Sequence, residues 1–181
     1  MELVEAIKTR RSIRQFQDKQ VPEEHVAAII EAAMLAPSAG NQQPWHFIIL
    51  SEREKLDQIP SFHPYSKMVL QSPVALLICG DPTGTPWPDF WPQDCSAATQ
   101  NALLAARDLG LATVWAGIYP VEERMAGFRQ LLGIPAHVYP FALIPIGWPE
   151  GEFKAVDRSK PERIHRETWQ GQSSQPESGV K

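Results

Sequence analysis

The chain has 181 residues, of which 43% are apolar and 21% charged, and it carries a formal net charge of −4. This length and balance are typical of one water-soluble domain with a substantial core. The acidic balance argues against a nucleic-acid partner, because nucleic-acid-binding domains generally present a basic face. No apolar run approaches the roughly 18–20 residues of a membrane-spanning helix.

The two cysteines, Cys79 and Cys95, stand in no spacing that is typical of a zinc site or a disulfide framework. The N-terminal stretch MELVEAIKTRR carries early acidic residues and lacks the apolar centre of a secretion signal. We therefore expect a reduced cytoplasmic protein that binds neither metal nor membrane.

The first half of the chain predicts helices at residues 2–9 and 21–36 and buried strands at residues 47–51 and 74–80. Apolar residues fall at helical spacing in the two helices. Pro37 is expected to end the second one, because proline cannot continue a helix.

The second half predicts a long alanine-rich helix at 94–110, in which Asp94 or Ser96 could cap the N-terminus. A strand at 112–117, a helix at 121–133 and a last core strand at 141–147 follow. Helices that flank short, apolar strands indicate a mixed α and β fold.

Residues 150–169 carry scattered charges without a core periodicity, which predicts an arm that runs over a surface. Residues 170–181 are polar and rich in Gln, Ser and Gly, so we expect a disordered tail. The organisation is thus one domain at 1–169 followed by a tail.

The basic segment KTRRSIRQF, residues 8–16, concentrates cations in an acidic chain. Two arginines and a serine can saturate a phosphate, since Arg offers planar paired donors and Ser adds a short hydrogen bond. A solvated basic turn is the alternative interpretation of these residues on their own.

The loop APSAGNQQPWHF, residues 36–47, offers neutral donors and acceptors that suit ring edges and hydroxyl groups. Gly40 would let the backbone approach a ligand closely. An ordinary helix-to-strand loop is the alternative, although it leaves the number of amides beside an aromatic residue unexplained.

These stretches are followed in order by WAGIYP (115–120) and LLGIPAHVYPFALIPIGWP (131–149), and together they resemble the FMN-dependent nitroreductase family. The resemblance runs from about residue 2 to 169. It implies an α+β three-layer sandwich with a central, mainly antiparallel sheet flanked by helices. It also implies a homodimer with FMN at the subunit interface and a C-terminal arm that crosses to the partner subunit.

The resemblance implies roles for the basic segment. Arg10 and Ser12 would hold the FMN phosphate and ribityl end, and Arg14 would reach the pyrimidine edge near N1 and O2. Arg11 could serve the phosphate or the ribityl chain. Lys67 matches a position that is basic in some relatives.

Other cofactor contacts follow from the same resemblance. Pro37 and Ser38 would contact FMN, while Asn41 and Gln43 would contribute from the partner chain. The stretch Ala116, Gly117 and Ile118 would lie against the ring with backbone amides near N5. The C-terminal segment departs from the family pattern, so either Arg158 or Arg163 could close the phosphate site.

The implied activity is hydride transfer from NADH or NADPH through flavin N5 to nitroaromatic, quinone or similar conjugated acceptors in a ping-pong cycle. The sequence contains no GxGxxG motif, so a separate domain that binds the nicotinamide cofactor is not indicated. Alternatives are reductive dehalogenation, enone reduction, flavin cleavage, or a flavin-binding module without catalysis. A flavin-free module that binds an anion is a further alternative.

The loop at 81–94 is rich in proline and aromatic residues. With a flavin nearby, Trp87, Phe90 or Trp91 could stack on flat acceptors as part of a lid. The alternative is that these aromatic side chains seal the dimer interface.

Overall fold

The computed structural model describes residues 1–169, so the predicted tail at 170–181 lies outside the described residues. Its helices are α1 (Leu3–Thr9), α2 (Glu23–Met34), α3 (Arg53–Gln58), α4 (Trp91–Asp108) and α5 (Glu122–Leu132). Short 3-10 turns lie at Ala39–Asn41, Ile59–Ser61, Pro64–Leu70, Pro88–Phe90 and Pro161–Arg163. None of the described helices has the length and apolarity needed to cross a membrane.

The strands are β1 (Trp45–Leu50), β2 (Val74–Gly80), β3 (Ala112–Thr113), β4 (Ala116–Gly117) and β5 (Tyr139–Gly147). They form one sheet in the order β1-β2-β5-β3, with β4 also paired to β5. Every pair of these strands is antiparallel.

The sheet is the middle layer of a three-layer sandwich. Leu76 and Ile78 of β2 face a core shared with α2 and α4. Leu77 and Cys79 of the same strand face a second core, with α3 and α5. The alternation of side chains along a strand explains why β2 and β5 are apolar at almost every position. The predicted α+β sandwich with a mainly antiparallel sheet is confirmed.

The predicted strand at 112–117 is interrupted between β3 and β4. Both pieces keep one register along β5, and the break lies opposite Ile144 and Pro145. Proline has no N–H to donate to the neighbouring strand, so the ladder loses a hydrogen bond at this point.

Two further expectations were wrong in detail. β1 is an edge strand that pairs only with β2, so Ile49 is 52% exposed instead of buried. Helix α4 begins at Trp91 with Pro92 in its first turn, a position that suits proline. Asp94 and Ser96 therefore lie inside the helix and do not cap it.

The arm at 150–169 has no strand and only one short 3-10 turn among the described residues. Phe153 is half-buried, and the Arg107 guanidinium lies 3.9 Å from its ring centroid. This contact attaches the beginning of the arm to α4, close to the C-terminus of α1, where Arg107 Nε donates to Thr9 Oγ1 at 3.0 Å.

Candidate functional site

The basic segment lies along the free edge of β3. Ser12 forms a parallel bridge with Thr113, and the Ile13 N–H donates to the Thr113 carbonyl at 3.0 Å. Phe16 is buried, and a Cβ at Gly147 would clash with its ring. Backbone pairing and this apolar contact therefore fix the segment and leave Ser12 exposed.

Three arginines at the N-terminal end of this segment and in the arm lie close enough for two of them to act on the charge of the third, Arg10. The pKa of Arg10 is lowered by burial, then by the charges of Arg158 and Arg11. None of the three forms an ion pair with any carboxylate of residues 1–169. Positive charge that is partly desolvated and not neutralised by the protein is the condition for binding an anion such as a phosphate.

The charges that act on Arg10 also distinguish the two arginines of the arm that could close the phosphate site, Arg158 and Arg163. Arg158 acts on Arg10, whereas Arg163 lies in the 3-10 turn at Pro161–Arg163 and has no such effect on Arg10. Of these two arm residues, Arg158 is therefore the one whose charge reaches the N-terminal arginines.

Arg14 and Lys67 lie together farther along the segment. They line one open depression of about 380 Å³ with Gln15, Pro64, Tyr65, Met68 and Gln71. No acidic residue lines this depression, so its charge is positive. The structure thus brings together two predicted cofactor ligands that stand far apart in the sequence.

The open edge of β4 carries Gly117. The Ile118 N–H donates to the Phe141 carbonyl at 3.0 Å. The alternation of an antiparallel ladder then makes Gly117 and Ala142 a pair without direct hydrogen bonds, and the Gly117 N–H points away from β5. A Cβ built on Gly117 meets no atom within 4 Å. The edge therefore offers an outward donor and a flat backbone surface.

Ala116 and Ile118, on either side of Gly117, offer a ligand only their backbone atoms. Ala116 is 6% exposed and Ile118 is fully buried, and both side chains pack in the core beside α5. The predicted contact of this stretch with a ring is compatible with the structure only through main-chain atoms at Ala116 and Ile118.

The loop after α2 is held by a buried carboxylate. Asp94, 5% exposed, accepts hydrogen bonds from the Ala39 N–H at 2.9 Å and from Gln42 Nε2 at 2.7 Å. Gln42 also exchanges hydrogen bonds with the backbone of Trp87. These hydrogen bonds join loop 36–47 and loop 81–94 into one wall.

This wall presents Asn41 and Gln43 to solvent. Both adopt left-handed backbone conformations, with φ of 57° and 48°. The Gln43 side chain donates to Asn41 Oδ1 at 2.9 Å, and Ser38 Oγ accepts the Gln43 N–H at 3.0 Å. Strained conformations of this kind persist where surrounding bonds enforce them, and here they aim two amides outward. Pro37 is also exposed at this surface.

The aromatic residues of loop 81–94 separate into two groups. Trp87 and Phe90 are 54% and 45% exposed. Trp91 is only 6% exposed, stacks on Tyr139 with ring centroids 5.2 Å apart, and fills the space above Gly80. The prediction that Trp91 stacks on an acceptor does not fit this burial, because its ring is part of the core.

Several residues that shape the site are not assigned to it by the sequence: Asp94 is expected only as a cap, Gln42 only as a general donor, His63 only as a structural or surface residue, and Arg124 has no predicted role. The side chain of Arg124 donates from Nη1 to the Gly117 carbonyl at 2.7 Å. No helix or strand pattern predicts this contact, because it joins helix α5 to strand β4, which is a separate element.

Comparison with known proteins places this geometry in a family. Residues 7–71 and 62–148 match the sequence profile of the Nitroreductase family. The chain is 52% identical over 169 residues to a protein of Methanothermobacter thermautotrophicus provisionally named NADH dehydrogenase/NAD(P)H nitroreductase, with 93% of this chain and 88% of that protein covered.

Solved structures agree with this relationship. A Bacteroides thetaiotaomicron protein of the same provisional name is 35% identical with a TM-score of 0.88, covering 92% of this chain and 98% of that one. A provisionally named nitroreductase from Desulfovibrio desulfuricans, solved in complex with FMN, is 30% identical with a TM-score of 0.78, covering 93% and 98%. The chain therefore belongs to the nitroreductase family.

Proposed function

We propose that this nitroreductase-family enzyme passes a hydride from NADH or NADPH, through FMN, to nitroaromatic, quinone or similar conjugated acceptors in a ping-pong cycle. The unit would be a homodimer in the cytoplasm, each chain a single domain at residues 1–169. The observation that carries the proposal is one edge of the sheet that offers unpaired cations at one place and the outward N–H of Gly117 at another.

The residues fit FMN chemically. Arg10, Arg11 and Arg158 supply the positive charge that a phosphate needs, and the exposed Ser12 adds a hydroxyl donor beside them. The bare backbone at Gly117 leaves room for a flat ring to lie against the strand. The Ser38 hydroxyl and the neutral side-chain amides of Asn41 and Gln43 suit the polar ring edge and the ribityl hydroxyls.

When bound, the flavin supplies the hydride chemistry, so the chain needs no nucleophile of its own. Arg14 and Lys67 share a positive depression, and a cation there stabilises negative charge that develops on the pyrimidine edge. The Gly117 N–H would orient the ring for transfer by donating toward N5. Trp87 and Phe90 are exposed on loop 81–94 and can stack on a flat acceptor.

The dimer is proposed from an apolar surface that one chain leaves uncovered. Leu3, Val4 and Ile7 of α1 are 67%, 60% and 54% exposed. A second copy that covers this face would bury it and could bring its own Asn41 and Gln43 to the flavin. The arm at 150–169 would then extend over the partner subunit.

The test is FMN titration of the purified protein, followed by turnover with NADH or NADPH and a soluble quinone. Arg10→Ala should weaken FMN binding at least several-fold, because a lost charge-assisted hydrogen bond costs roughly 1.5–3 kcal/mol. Lys8→Ala is the matched control, since this exposed cation belongs to the same segment. Protein that is colourless and takes up no added FMN would falsify the proposal.

A further inference from the structure

Arg124 connects helix α5 to the open edge of β4. Its Nη1 donates to the Gly117 carbonyl at 2.7 Å, and its guanidinium lies 5.3 Å from the ring centroid of Tyr65. Tyr65 lines the depression that also holds Arg14 and Lys67. Arg124 therefore lies between the strand edge proposed for the flavin ring and the pocket proposed for its pyrimidine end.

The charge of Arg124 is not neutralised within the described chain. No carboxylate of residues 1–169 forms an ion pair with it. Its neighbour in the interior is His63, 1% exposed, whose imidazole also interacts with the backbone of Gly117. Burial and the charge of Arg124 lower the pKa of His63 to about 4, so the imidazole is neutral near pH 7.

The hydrogen bond has a directional consequence for Gly117. In extended backbone the N–H and C=O of one residue point to the same side of the strand. Arg124 fixes the carbonyl of Gly117, and the Ile118 N–H is fixed by the Phe141 carbonyl at 3.0 Å. Gly117 has no side chain of its own to pack, so these two bonds and the interaction with His63 keep its N–H pointing outward.

We propose that Arg124 is a positioning residue that fixes the Gly117 backbone and places an unneutralised positive charge beside it, and thereby raises the reduction potential of the bound flavin. The inference rests on the proposed function. Reduction by two electrons and a proton leaves extra negative charge on the flavin, and a nearby cation stabilises that form more than the oxidised one.

The experiment measures the midpoint potential of FMN-loaded protein against reference dyes, together with the affinity for oxidised FMN. Arg124→Gln should weaken binding of reduced FMN about tenfold more than binding of oxidised FMN, which lowers the midpoint potential by about 30 mV for a two-electron couple. Arg124→Lys keeps the charge and should retain most of the wild-type potential. Arg124→Met is a second neutral variant that suits a helix.

Arg129→Gln is the matched control. Arg129 lies on the same helix and also donates to backbone carbonyls, those of Ala136 and Val138, but not to β4. An unchanged potential in both neutral Arg124 variants overturns the inference, as does an equal fall in the Arg129 variant. Wild-type protein that binds no FMN contradicts the proposed function instead, so the two failures are distinguishable.

Discussion

At the scale of single residues, environment decides what an ionisable side chain does. Asp94 and His63 are both buried, at 5% and 1% exposure. Asp94 accepts hydrogen bonds from the Ala39 N–H and from Gln42, whereas burial and the positive charge of Arg124 both disfavour protonation of His63. The pKa of His63 is thereby lowered to about 4, so its imidazole stays neutral near pH 7.

The first prediction concerns the pH dependence of stability through His63. Its pKa falls from 6.5 in the unfolded chain to about 4 in the folded one. Above pH 6.5 both states are neutral; between pH 6.5 and 4 only the unfolded state gains a proton, so the free energy of unfolding decreases. His63→Gln should remove up to roughly 3 kcal/mol of this decrease.

Denaturant unfolding at pH 7.5, 5.5 and 4.5 checks this prediction. His46→Gln is the control, because His46 is exposed. If the pH dependence of the His63 variant matched that of the control, the imidazole would not be responsible for it.

The second prediction compares two glycines beside the site. Gly117→Ala should leave the free energy of unfolding of the FMN-free protein nearly unchanged, because no atom lies within 4 Å of the new methyl group. It should still weaken FMN binding, since the methyl group enters the space proposed for the ring. Gly40→Ala serves as the comparison. The φ of Gly40 is +54°, and a Cβ added there would lie 2.8 Å from Trp87 Nε1, so this variant should be strained even without FMN.

Thermal unfolding and FMN titration separate the two effects. Unchanged FMN affinity in Gly117→Ala, with normal folding, would place the ring elsewhere.

At the scale of elements, the site is built from pieces that secondary structure alone does not connect. The broken strand β3–β4 runs along one edge of β5 in a single register. The basic segment covers β3 through the Ile13–Thr113 hydrogen bond, while β4 keeps an open outer edge. The site therefore lies where the covering segment stops.

The third prediction tests the hydrogen bonds through which Asp94 connects loop 36–47 to loop 81–94. Asp94→Ala removes two hydrogen bonds to a carboxylate, each worth roughly 1.5–3 kcal/mol. We expect a lower melting temperature and faster amide exchange at Ala39. Asp89→Ala is the control because Asp89 lies exposed in the neighbouring 3-10 turn; equal exchange rates in both variants would contradict the role of Asp94.

At the scale of the whole molecule, one chain leaves apolar surface uncovered on α1. Leu3 and Ile7 are more than half exposed, although they form the apolar face of an amphipathic helix. Such a face is normally buried against another element. This is the surface on which the proposed second copy would pack.

The fourth prediction is that Ile7→Glu weakens the dimer and, with it, FMN binding, because the partner's amides would leave the site. Sedimentation velocity and FMN titration measure the two effects. Ile49→Glu is the control at the edge strand β1, where Ile49 is 52% exposed. Dissociation caused by the β1 variant and not by the α1 variant would assign the interface to the other face.

Much of the fold could be predicted from the sequence, because its signals are local. The apolar strand at 74–80 matches β2, and Gly133 with φ of +67° ends α5 at the expected place. The order of the motifs was enough to indicate the family. The boundaries of α4 and the exposure of β1 could not be predicted, because they depend on which strand lies at the sheet edge and on how Trp91 packs.

The sequence by itself determined which chemistry is present: a run of arginines in an acidic chain, an amide-rich turn and apolar strands. Only the tertiary structure decided which of these residues meet. It brought Arg158 to Arg10 and Lys67 to Arg14, buried Trp91, and joined Arg124 to Gly117. The physical reason is that local patterns record the propensities of one segment, whereas desolvation, charge proximity and strand-edge hydrogen bonding arise only between segments that the fold packs together.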